Sequence, residues 1–240
     1  MPVARRGGSP LVRISSILAL LSFVAFLVAP AQGGKSSARS CGNQEYAYAG
    51  FQADDTAHGV RSTITPLAQP SVEDGHVAGW IGVGGVDAGP GRTAEWLQTG
   101  LAAFSPYDTT YLYYEVTVAG KTQYHEVAAD VKPGEQHDLA VLEVQGRNSW
   151  WRVWVDGTPA SKPIHLPGSH GNWYPQAIGE NWNGGTGTCN SYAYRFTNVR
   201  LARQNGGVWK SLKQRSLFED PGYQVVQTSR LPSNFVATSL

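Results

Sequence analysis

Apolar and polar residues alternate with a period of two along much of the chain, a spacing that places successive side chains on opposite faces of a β-strand. In segment 109–120 the odd positions from Tyr111 to Glu115 share one face, and the even positions from Leu112 to Val116 share the other. Such segments are short and are separated by turn residues, which is typical of an all-β protein. Ten segments are predicted as strands: 46–51, 59–67, 75–85, 94–104, 109–120, 122–129, 137–146, 149–157, 192–202 and 223–228.

The turns between these segments favour antiparallel pairing. Gly120-Lys121 and Asp156-Gly157 each follow a predicted strand, and Asp-Gly is a strong hairpin signal. Helical periodicity is almost absent, although one short helix fits within 203–222, where glycines and a proline limit its length. We therefore expect residues 46–240 to form a single domain, in which two antiparallel sheets pack as a sandwich.

The amino-terminal segment differs from the rest of the chain. Three arginines within the first 13 residues precede an apolar run from Ile14 to Val28, and Ala29-Pro30-Ala31 has the small residues of a cleavage site. This order predicts a secretory signal peptide over residues 1–31, because the apolar run is shorter than the roughly 20 residues of a membrane-spanning helix. Residues 32–45 are predicted to be a flexible lead-in. We expect a secreted bacterial protein, monomeric and free of the membrane after cleavage.

Charge and cysteine content narrow the possible functions. Three of the 19 basic residues lie before residue 32, which leaves 16 basic against 18 acidic residues, a net charge of −2. Nucleic-acid binding is not expected, because it usually requires a basic patch. Cys41 and Cys189 both lie in the exported part of the chain, where oxidation is permitted. They are predicted to form one disulfide, with two free thiols as the alternative.

Common catalytic motifs are incomplete in this sequence. The segment "HEVAA" begins at His125 like the helix of a zinc protease, but Ala129 stands where the second histidine is needed. No G-x-S-x-G motif of a serine hydrolase occurs. We therefore predict no metal and no cofactor. A glycosidase needs two carboxylates, and Glu115 with Glu180 stays open as such a pair.

Three segments follow one another in an informative order: "GWIGVGG" (79–85), "EWLQTGLAAF" (95–104) and "YLYYEV" (111–116). They resemble the glutamic peptidases, or eqolisins, which carry a Trp-x-Gly-x-x-Gly strand, a Gln-Thr-Gly strand and an aromatic strand with a glutamate. The resemblance implies a concanavalin A-like jelly-roll sandwich and a secreted endopeptidase that acts on polypeptides without a cofactor. Further segments resemble the family in the same order, namely 46–51, 59–72 and 196–202.

The resemblance also implies a catalytic dyad. Gln98 matches the glutamine of Gln-Thr-Gly, and Glu180 of "AIGENW" (177–182) matches the catalytic glutamate. Glu180 would act as general base and acid, while Gln98 would orient the water and stabilise the oxyanion. This role requires that Glu180 faces Gln98 across the same sheet. Trp80 and Glu115 match the flanking motifs and are predicted to support the dyad or bind substrate.

Some features depart from the family pattern and keep a second hypothesis open. Asn181 separates Glu180 from Trp182, and Gly84 stands where the family commonly has an aspartate. Trp173 and Trp182 lie in a glycine-rich, loop-like run and are predicted to line a peptide groove, although such rings also stack on sugars. The alternative is a non-catalytic sandwich that binds carbohydrate or a cell-surface partner.

Overall fold

The part of the chain seen in the computed structural model is nearly all of the predicted domain. The predicted signal peptide, the lead-in and the two cysteines lie outside it, so the cleavage site and the Cys41–Cys189 disulfide stay predictions. No helix within the described part has the length and apolar character that membrane crossing requires. The structure describes residues 46–107, 109–169, 171, 173–186, 188, 190–230 and 233–240.

Strands make up most of the described chain, and its one helical element is the 3-10 turn Pro90–Arg92. The strands are β1 (Tyr46–Ala53), β2 (Gly59–Pro66), β3 (His76–Gly85), β4 (Glu95–Phe104), β5 (Thr110–Val118), β6 (Lys121–Ala128), β7 (His137–Glu143), β8 (Trp150–Val155), β9 (Thr158–Pro159), β10 (Ile164–His165), β11 (Gln176–Trp182), β12 (Ala193–Gln204), β13 (Gly207–Ser211), β14 (Arg215–Glu219), β15 (Tyr223–Gln227) and β16 (Phe235–Ser239).

Two antiparallel sheets pack face to face, which confirms the predicted all-β sandwich. The first sheet has seven strands in the order β14-β1-β11-β3-β4-β5-β6. The second has nine, in the order β10-β8-β7-β2-β12-β16-β15, with β9 beside β8 and β13 beside β12. Strand β3 is the middle strand of the seven, flanked by β11 on one side and β4 on the other.

The predicted alternation determines which side chains form the core. In β5, Leu112 and Val116 are buried between the sheets, whereas Tyr113 lies on the opposite face. In β8, Trp151 and Val153 are fully buried in the same core. Removing this apolar surface from water is the main favourable term in the stability of such a sandwich.

Six observed strands were not predicted: β9, β10, β11, β13, β14 and β16. The most important is β11, which the small residues around Gly179 made look like a loop. Gly179 is needed there because a Cβ atom at this position would lie 2.6 Å from the ring of Tyr192. The helix considered for 203–222 was also wrong, since strands β13 and β14 occupy that region.

Candidate active site

The outer face of the seven-stranded sheet gathers most of the candidate residues. Val77 and Ile81 of β3 point into the core, so His76 and Trp80 lie on the other face of the sheet. The same alternation in the neighbouring strands places carboxyl, amide and aromatic side chains beside them. We call this surface the site face and define it by Tyr48 (β1), Glu180 (β11), His76 and Trp80 (β3), Gln98 (β4), and Tyr113 and Glu115 (β5).

Glu180 is a buried carboxyl of the site face, with 8% of the residue exposed. The indole Nε1 of Trp80 donates to its Oε2 at 3.0 Å. The Nε2 atom of His76 lies 2.9 Å from its Oε1. A buried carboxylate without partners is costly, and here a ring nitrogen satisfies each oxygen. The carboxyl group is therefore held in one orientation.

Gln98 lies on the same face, on strand β4. Its Nε2 donates to the hydroxyl of Tyr113 at 3.3 Å. Gly82 is its ladder neighbour on β3, where a Cβ atom would lie 2.9 Å from the Cβ of Gln98. Gly82 thus leaves room for the side chain of Gln98.

Tyr113 lies on β5 opposite Gly100 of β4 and is 3% exposed. Burial raises the pKa of its hydroxyl well above the ordinary value, and the charges of Glu180 and Glu115 raise it further. The hydroxyl therefore stays protonated and can donate a hydrogen bond. Gly100 faces both Trp80 and Tyr113 in the ladders, and a Cβ atom there would lie 2.7 Å from the Cβ of Trp80.

The structure places Gln98 and Glu180 on one face of one sheet but does not join them directly. Their strands, β4 and β11, are separated by β3. Gln98 pairs with Gly82, whereas Glu180 pairs with Ala78, four residues away along β3. Among the described residues each bonds to aromatic or histidine side chains, and no hydrogen bond connects the two.

Glu115 is the second carboxyl of the site face. The indole Nε1 of Trp96 donates to its Oε1 at 2.9 Å. Burial raises the pKa of Glu115 to about 7; the hydrogen bond from Trp96 lowers it, the charge of Glu180 raises it, and His76 lowers it. The site face thus carries a carboxyl group that titrates near neutral pH.

Of the two tryptophans predicted to line the groove, only Trp182 lies on the site face. Its ring stacks on Tyr46 at 6.2 Å and approaches His76 at 5.4 Å. Trp173 is instead 7% exposed and packs in the core against Trp151. A large ring near the end of the sandwich gains more from burial between the sheets than from exposure, and sequence alone does not distinguish the two environments.

Gly84 explains one departure from the glutamic peptidase pattern. Its φ angle is +91°, in the region that favours glycine. A Cβ atom at this position would lie 2.2 Å from the carbonyl oxygen of Glu95. The backbone of this chain therefore has no room for the aspartate that the family commonly carries there.

Sequence reasoning did not assign roles to His76 or Tyr113, which both contact predicted site residues. The alternation of side chains along a strand could have identified both residues. His76 lies four residues before Trp80 in β3, and Tyr113 two residues before Glu115 in β5, so period-two alternation puts each on its partner's face. Among the described residues no group of three or more histidine, cysteine, aspartate or glutamate side chains could hold a metal ion.

Comparison with solved structures gives a clear likeness in fold. A structure of scytalido-glutamic peptidase with a peptide-based transition state analog has a TM-score of 0.58, covering 82% of this chain and 99% of the peptidase chain at 15% identity. The sandwich is similar in fold to scytalido-glutamic peptidase. A second structure of scytalido-glutamic peptidase, with a transition state analog inhibitor, has a TM-score of 0.54 at 14% identity and the same coverage.

No protein-family model matches the chain, and no curated protein matches its sequence. At 15% identity the likeness to scytalido-glutamic peptidase shows the fold alone.

Proposed function

We propose that this protein is a secreted endopeptidase in which Glu180 activates water and Gln98 stabilises the oxyanion. The observation that carries the proposal is the convergence of three side chains on one sheet face. Gln98 donates to the hydroxyl of Tyr113, and that hydroxyl lies within the electrostatic influence of Glu180. A carboxylate, an amide donor and a protonated hydroxyl are the groups that peptide hydrolysis requires.

The proposed reaction begins at Glu180. Its carboxylate removes a proton from a water molecule, and the water oxygen bonds to the carbonyl carbon of the peptide. The amide NH₂ of Gln98 donates to the negative oxygen that develops on that carbon. When the C–N bond breaks, a proton passes to the leaving nitrogen and a free amine departs.

Gln98 and Glu180 must act on one substrate across the distance between their positions on the sheet. Neighbouring strands lie about 4.8 Å apart and successive residues advance about 3.4 Å, so two strands and four residues put the Cα atoms of Gln98 and Glu180 about 17 Å apart. A peptide group and a water molecule need space between the base and the oxyanion donor. Tyr113 is positioned to keep the amide of Gln98 oriented across that space.

The test is cleavage of an unfolded protein by the purified chain, without its signal peptide, from acid to neutral pH. We expect Glu180→Gln to lower kcat/KM by about 10²–10⁴-fold and Gln98→Ala by about 10²–10³-fold. Gln204→Ala is the matched control, because it removes an exposed amide from β12 of the nine-stranded sheet. Cleavage that survives both site substitutions would contradict the proposal.

A second candidate, carbohydrate binding without catalysis, is favoured by one observation. An aromatic ring is accessible beside Glu115: Tyr124 pairs with it in the β5–β6 ladder, is 40% exposed and stacks on Tyr113 at 5.1 Å. An exposed ring of this kind offers a flat apolar surface on which a sugar ring can stack. Absence of cleavage at every pH, together with polysaccharide binding that Tyr124→Ala abolishes, would make this the better assignment.

A further inference from the structure

The carboxyl group directly beside Gln98 belongs to Glu115. The two residues are opposite each other in the β4–β5 ladder and lie on the same face. Such pairs have Cβ atoms about 4.5–5.5 Å apart. Glu180, in contrast, lies two strands away from Gln98. Glu115 is therefore the carboxyl of the site face that lies next to the amide.

The two carboxyls are held in different ways. Glu180 has a ring nitrogen partner on each oxygen, which suits the acceptor-only chemistry of an ionised carboxylate. Glu115 accepts on Oε1 from Trp96, and no hydrogen bond from the described residues reaches its Oε2. That oxygen is available to carry a proton.

The surroundings of Glu115 favour its protonated form near neutral pH. Burial raises its pKa to about 7. The strand β4 presents no charged group to it, only Gln98 and Trp96. A carboxylic acid with a pKa near the operating pH is an efficient proton donor. The titratable groups that face it are Tyr124 from β6, Tyr113 from its own strand, and Glu180, His76 and Tyr48 from across the face.

We propose that Glu115 is a second catalytic carboxyl, the general acid that protonates the leaving amine while Glu180 acts as the base. This inference rests on the proposed peptidase function and assigns its final proton transfer. Glu180 takes one proton from water, and the remaining hydroxyl oxygen bonds to the carbonyl carbon. As the C–N bond breaks, the proton of Glu115 passes to the nitrogen. Glu180 then releases its proton to solvent, and Glu115 gains one.

The experiment compares two substrates that share the same acyl peptide. One has an ordinary amide bond, and the other is a 4-nitrophenyl ester, whose leaving group departs without being protonated. We expect Glu115→Gln to lower kcat/KM for the peptide by about 10²-fold or more and to lower ester hydrolysis much less. In the parent protein, peptide cleavage should decline above about pH 7, where Glu115 loses its proton, and this decline should disappear in the variant.

The matched control is Glu126→Gln, which removes an exposed carboxyl from the β6 residue that pairs with Tyr113. Its rates on both substrates should stay within about two-fold of the parent. Equal losses on peptide and ester after Glu115→Gln, with the decline above pH 7 retained, would show that Glu115 only positions its neighbours and would overturn the proposal.

The two proposals fail in different ways. If Glu180→Gln leaves peptide cleavage intact, the peptidase mechanism is wrong whatever Glu115 does. If Glu180→Gln abolishes cleavage while Glu115→Gln stays within two-fold of the parent at all pH values, only the role of Glu115 is wrong.

Discussion

The two outer faces of the sandwich use tryptophan in opposite ways. On the site face the indole edge is used: Trp80 and Trp96 donate their N–H groups to the carboxyls of Glu180 and Glu115. On the outer face of the nine-stranded sheet the flat ring is used: the guanidinium of Arg147 lies 4.1 Å from the ring centroid of Trp150.

Two further arginine–tryptophan pairs on the nine-stranded sheet make the same kind of contact. Arg152 lies 5.8 Å from the ring of Trp154, and Arg61 lies 5.5 Å from the ring of Trp209. Cation–π contacts of this kind leave the charge in water, so they contribute little at exposed sites. A donor to a buried carboxylate removes a large desolvation penalty and contributes more. The same residue type therefore makes the site face sensitive to substitution and the other face tolerant.

The largest expected effect on stability comes from the titration of Glu115 and should appear as a dependence of the free energy of unfolding on pH. The pKa of Glu115 rises from 4.5 in the unfolded chain to about 7 in the folded protein, so the folded protein binds more protons between these values. Stability should therefore fall as the pH rises from about 4.5 to 7. The loss from this group is at most about 3 kcal/mol, because each pKa unit corresponds to about 1.4 kcal/mol and Glu115 is partly solvated.

Chemical denaturation of the parent and of Glu115→Gln across this pH range measures the effect. The variant should lack the part of the pH dependence due to this residue, whereas the exposed control Glu126→Gln should keep it. A parent and a Glu115→Gln variant with identical pH dependence would contradict the placement of Glu115 in a buried environment.

The next effect concerns the donor to Glu180. Trp80→Phe keeps most of the ring but removes the N–H that bonds to Oε2. A carboxylate left with one unsatisfied oxygen should cost about 1–3 kcal/mol in the free energy of unfolding. The matched control is Trp150→Phe, which makes the same chemical change under Arg147 and should cost less than about 0.5 kcal/mol. Equal costs at the two positions would remove the distinction between the faces.

The smallest expected change in stability is on the outer face of the nine-stranded sheet. Arg147→Ala removes the guanidinium over Trp150 and should lower the free energy of unfolding by about 0.5–1 kcal/mol. The measurement is denaturant unfolding at low and high salt, since a contact with an exposed charge weakens as salt increases. A loss of stability as large as that of Trp80→Phe would contradict the view that the Arg147–Trp150 contact is weak.

The sequence predicted ten strands from their alternation and missed β11, in which a glycine weakens the strand signal. Strand β5 was predicted because its tyrosines, leucine and valine alternate over most of its length. Strand β11 was missed because Gly179 lies beneath the ring of Tyr192, so the residue that makes the packing possible also weakens the strand signal.

Four of the predicted site residues share one face, but their pairings were not predicted. Gln98, Glu180, Trp80 and Glu115 were all candidates, and all lie on the site face. That Gln98 faces Glu115 depends on the register of β4 against β5, and period-two alternation assigns a face but no register. Hydrogen bonds such as that of Trp96 to Glu115 follow from that register, so they were beyond the reach of a single sequence.

The central position of β3 also sets the order in which the site can be completed. Strands β3, β4, β5 and β6 follow one another along the chain and pair as neighbours, so short loops bring Trp80, Gln98 and Glu115 together. Strand β11 reaches the other edge of β3 only after about a hundred further residues, and closing a longer loop costs more entropy. A chain emerging from the ribosome or a secretion channel thus holds one carboxyl of the pair long before it acquires the other. Hydrolysis by the proposed pair must wait until nearly the whole sandwich has been delivered.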